Sequence, residues 1–140
     1  MNQYMPFELS WQIPQRVVLM RIWGEVTLHE ITAQDSALHE WLHKVQGPIH
    51  LIGDDRKVTR APYAIQGLRL TLRLLRNEKL GYVFTFGRSH PMAEFLTFTL
   101  FTGAGIKYQR VRTLDDAVAK LHTIDPTLTE NTTEIDNQVT

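Results

Sequence analysis

Apolar residues change rhythm several times along this chain, and each change marks an element. Phe7, Leu9, Trp11 and Ile13 alternate with polar residues, the period of a half-buried strand. After the break at Pro14 and Gln15, residues 17–23 (VVLMRIW) form a nearly continuous apolar run, which predicts a central strand antiparallel to the first. Residues 27–46 switch to helical spacing, with Ile31, Leu38, Trp41, Leu42 and Val45 on one face, and Gly47 and Pro48 stop the helix. IHLIG (49–53) reads as a buried strand and DDRKVTR (54–60) as a charged loop. Pro62 suits the first turn of a second helix running to about Arg76. YVFTFG (82–87) is the next strand, and a third helix is expected from Pro91 to Gly103. IKYQRV (106–111) gives a fifth strand, and Thr113 with Asp116 makes a capping pattern before a last helix striped by Leu114, Ala117, Val118 and Leu121.

Strands alternating with helices after an opening hairpin predict an α/β fold, a mixed sheet of about five strands packed with about four helices. Residues 1–125 are expected to form one domain. Residues 126–140 are polar and acidic with little to bury, so they are expected to be a disordered tail.

Composition narrows the classes. Hydrophobic residues make up 43% of the chain and charged residues 21%, an ordinary globular balance. Fifteen basic residues offset fifteen acidic ones, which argues against nucleic acid as a partner. The absence of cysteine excludes disulfides and thiolate chemistry. MNQYMPFELS lacks the basic region and apolar run of a signal peptide, and no apolar run reaches the ~20 residues of a membrane span. A cytoplasmic protein is expected.

One motif points to metal chemistry. HEWLHKVQGPIH (39–50) contains H-E-x-x-H, in which His39 and His43 would ligate zinc and Glu40 would act as base on bound water. Two features oppose a zinc hydrolase. In the extended metzincin signature the glycine and third histidine come earlier, so Gly47 and His50 each fall one residue late. The helical wheel also turns His39 to the flank of the apolar stripe, with His43 further round and Glu40 opposite it. The expectation is a solvated helix flank, no cofactor and no catalytic set, with no buried carboxylate to orient a histidine.

Residues 82–121 resemble the C-terminal half of the STAS-like, or SpoIIAA-like, proteins, relatives of the anti-sigma-factor antagonist and of the sulfate-transporter domain. The matching features are a strand ending near Gly87, a helix closing in FTGA (101–104), the short strand IKY, and a final helix LDDAVAKL (114–121). VVLMRIWGEVT (17–27) is similar to the family's second strand and its glycine. The resemblance implies a SpoIIAA/STAS-like sheet and a non-enzymatic regulatory module acting through protein contacts. Signalling members carry a regulatory serine after an aspartate where the second helix begins. Here that region is GDDRKVTRAPYA (53–64), with no Asp-Ser pair and Thr59 as the nearest hydroxyl.

Strand ends beside helix N-termini favour anions in open α/β sheets, so Arg56, Lys57, Thr59 and Arg60 form a candidate anion-binding set, with Asp54 and Asp55 opposing it by ion pairing. From residue 51 to 90 there are eight Lys/Arg against three Asp/Glu. The second helix carries a further clue. Ile65, Leu68, Leu72 and Leu75 suffice to pack it on the sheet, yet Tyr63, Leu70 and Leu74 lie on nearly the opposite side, flanked by Arg69, Arg73 and Arg76. In the third helix Met92, Leu96 and Thr99 define one face while Phe98 and Phe101 project elsewhere. Such surplus apolar surface predicts a homodimer through Tyr63, Leu70 and Leu74, or else a carrier of an apolar, acidic, lipid-like ligand between helices two and three.

Overall fold

In the computed structural model the described residues are 7–60, 76–87 and 91–128. They form β1 (Phe7–Ile13), β2 (Val17–Glu25), α1 (Leu28–His43), β3 (Ile49–Arg60), β4 (Leu80–Phe86), α2 (Pro91–Gly103), β5 (Tyr108–Val111) and α3 (Leu114–Ile124). The five strands lie side by side in sequence order. β1 and β2 form the expected antiparallel hairpin, and every later pairing is parallel.

The parallel strands are buried on both faces, which explains their continuous apolar runs. Val17, Leu19, Ile52, Phe84 and Phe86 face α3, which contributes Ala117 and Leu121. Val18, Met20, Ile49, Leu51 and Val83 face the other way, against Leu38 and Leu42 of α1 and Phe101 of α2. β1 departs from simple alternation. The register slips between Trp11 and Ile13, so Leu9 and Trp11 pack on the α1 side while Ile13 enters the core beneath α3.

The helix ends have local causes. Thr27 caps α1 reciprocally: its Oγ1 accepts from the Glu30 backbone N–H, and the Glu30 carboxylate accepts from the Thr27 backbone N–H at 2.8 Å. At the other end Lys79 Nζ donates to the Leu42 and Val45 carbonyls at 3.0 and 2.8 Å, satisfying acceptors that a longer helix would have used. α1 therefore ends at His43, before the expected residue 46. Thr113 Oγ1 accepts from the Asp116 N–H at the start of α3, as its spacing predicts.

Two expectations change, and a third falls outside the described residues. Residues 54–60 are not a loop but the outer half of β3, because β2 runs on through Glu25 and supplies ladder partners: Trp23 pairs with Lys57, Gly24 with Val58 and Glu25 with Arg60. The described residues contain three of the about four helices expected. The helix expected from Pro62 to Arg76 falls almost wholly on residues 61–75, outside the described residues, and with it Tyr63, Arg69, Leu70, Arg73 and Leu74; Arg76 is exposed. Finally, packing continues past residue 125, since Leu128 is fully buried beneath α3; residues 129–140 lie outside the described residues. No helix among the described residues is long and apolar enough to cross a membrane.

Candidate functional site

The H-E-x-x-H segment occupies the flank of α1. Glu40 and His43 are exposed, and His39 is half-buried. Asn77 fixes the His39 ring: its Oδ1 accepts from the Lys79 N–H, so its Nδ2 faces His39 Nδ1 at 3.3 Å. His39 Nδ1 is then the acceptor, and Nε2 carries the proton 3.8 Å from Asp35 Oδ2. Asp35 is 1% exposed, which corrects the expectation that no buried carboxylate accompanies a histidine. Its position was readable, because Ile31, Asp35, Leu38 and Leu42 share one helical stripe. His50, the third histidine of the motif, alternates with Ile49 and Leu51 and so points to the opposite side of the sheet. Among the described residues no three His, Asp or Glu side chains group to hold a metal ion.

His50 belongs instead to a buried knot at the amino ends of the parallel strands. Its Nδ1 accepts from the Tyr82 backbone N–H at 3.0 Å, so its proton sits on Nε2 and is donated to Asp125 Oδ2 at 3.0 Å. Arg16 Nη2 donates to the same oxygen at 2.8 Å, and Thr127 bonds the other oxygen through its backbone and hydroxyl. Burial pushes the Asp125 carboxyl up, but the bonds from His50 and Thr127 and the charge of Arg16 outweigh it and hold it at about 2. The knot ties the segment after α3 to the sheet.

A second knot sits at the carboxyl ends, on the α2 side. Arg110 donates to both oxygens of Asp55 at 3.0 and 3.1 Å and to Thr85 Oγ1 at 3.0 Å, with Glu94 of α2 at 3.7 Å. Thr85 shares a 2.6 Å hydrogen bond with the Tyr108 hydroxyl. Burial raises the Tyr108 phenol above its ordinary value; burial also works against the Arg110 charge, but Asp55 outweighs it and strengthens the protonated form. One guanidinium thereby joins β3, β4, β5 and α2. Sequence reading missed it, since Asp55 and Arg110 are far apart in the chain and only the sheet order brings them together.

The candidate anion-binding residues lie along the outer half of β3. Arg56 is engaged internally: Nε and Nη2 donate to the two Asp54 oxygens at 3.0 and 2.8 Å, and the guanidinium carbon lies 5.2 Å from the Phe86 ring centre. Burial pushes the Asp54 carboxyl up, but the Arg56 bonds and charge, with Arg21 behind them, bring it below its ordinary value. This is the ion pairing the sequence suggested. Lys57, Thr59 and Arg60 are exposed, with Arg60 at 4.0 Å from Glu25. An extended strand rises about 3.3 Å per residue, so it spaces these four side chains out instead of curling them around one point.

Among the described residues the two most exposed large apolar side chains lie on α2. Leu100 is buried, and Phe101 stacks on Tyr108 with ring centres 5.4 Å apart. Phe95 and Phe98 instead face solvent, 63% and 54% exposed. The sequence grouped Phe98 with Phe101 as one surplus, whereas the helix sends Phe101 to the core and pairs Phe98 with Phe95, one turn away.

No family model matches the chain, and no curated protein is significantly similar to it. Solved structures are similar in shape. The anti-sigma factor antagonist SpoIIAA in its unphosphorylated form superposes with a TM-score of 0.55 at 16% identity, covering 84% of this chain and 96% of that one. An uncharacterized DUF3478-family protein with a SpoIIAA-like fold from Shewanella loihica PV-4 gives 0.62 at 13% identity, covering 86% and 98%. The sheet order, the opening hairpin, the disposition of the helices and these two likenesses together show that the chain has the STAS-type, SpoIIAA-like fold.

Proposed function

We propose that the protein is a non-enzymatic binding module that acts through protein–protein contacts. The observation that carries this reading is the pair Phe95 and Phe98, two large apolar side chains held on one side of a helix and left open to water. The fold supports it, as do the acid–base groups: His50 is spent on Tyr82 and Asp125, Arg110 on Asp55 and Thr85, and Arg56 on Asp54. Each cluster ties elements together. A small anion is a secondary ligand in this reading, met by Lys57, Thr59 and Arg60 at the rim of β3 with Arg56 held by Asp54.

Replacing both exposed rings tests it. The Phe95→Ser/Phe98→Ser variant is expected to keep its thermal midpoint within about 2 °C, because neither ring is in the core. Its affinity for protein partners, its own copy included, is expected to fall at least about tenfold, a loss of some 1.4 kcal/mol measured by calorimetry or sedimentation. Unchanged affinity in the folded variant would overturn the reading.

A further inference from the structure

We draw no further inference here: the strongest candidate, the apolar patch that Phe95 and Phe98 form on the outer side of α2, belongs to the site already described, and nothing in the structure shows what covers it.

Discussion

At the amino ends of the parallel strands, under α3, His50 enters its cluster as a neutral ring donating one proton to Asp125. At the carboxyl ends, under α2, Arg110 enters its cluster as a cation held by Asp55 with Glu94 beside it. The neutral ring is buried almost completely, whereas the guanidinium keeps 18% of its surface. A neutral donor loses little on leaving water once both ring nitrogens are bonded; a cation needs carboxylates and some remaining hydration. Each cluster is also built over a glycine. The His50 ring occupies the space beside Gly81, and the Asp55 carboxylate fills the place where a side chain on Gly87 would go.

Those glycines are the sharpest way to break the comparison. Gly87→Ala is expected to have the largest effect, about 3 kcal/mol in denaturant unfolding. Gly87 has φ near +155°, and a methyl there would strike the Asp55 side chain and the backbone of Asp55 and Arg56. Gly81→Ala should cost less, about 2 kcal/mol. Its methyl would come within 2.6 Å of His50 Nδ1, which can retreat only by giving up the Tyr82 N–H. A cost below about 0.5 kcal/mol in either variant would show that the cluster relaxes freely.

Asp125→Asn is the mildest change and the most informative, because it carries a pH signature. The Asp125 carboxyl titrates at about 2 in the folded chain against an ordinary 3.8. Its contribution is therefore present above pH 4 and is lost as the pH falls toward 2, on the order of 2 kcal/mol in all. The Asn variant is expected to be about 1–2 kcal/mol less stable at neutral pH and to lose less stability between pH 4 and 2 than the wild type. Parallel acid-unfolding curves for the two proteins would contradict this. Asp54 is also lowered, so the wild-type acid decline does not vanish in the variant.

Much of the architecture was legible because the determining signals are local. The alternation of Phe7 to Ile13, the run from Val17, the α1 stripe and Pro91 with Gly103 all mark elements where they occur. The bulge near Gln12 was not legible, since the apolar alternation runs through it unbroken. Nor was the outer half of β3: DDRKVTR has no apolar rhythm, and it is a strand because β2 lies beside it. The clusters were hidden for the same reason, Arg16 meeting Asp125 and Asp55 meeting Arg110 only once the sheet is assembled. The α2 surface was half visible. Its excess of phenylalanine can be counted, but which rings point outward depends on where Leu100 and Phe101 seat the helix.

Leu128 has a practical consequence for anyone trimming the gene. A version stopped at residue 125 would strip the lid from Ala117 and Leu121 and unroof an oily hollow in an otherwise sound domain. The smallest self-sufficient fragment has to keep Leu128, and an affinity handle at that end belongs beyond it.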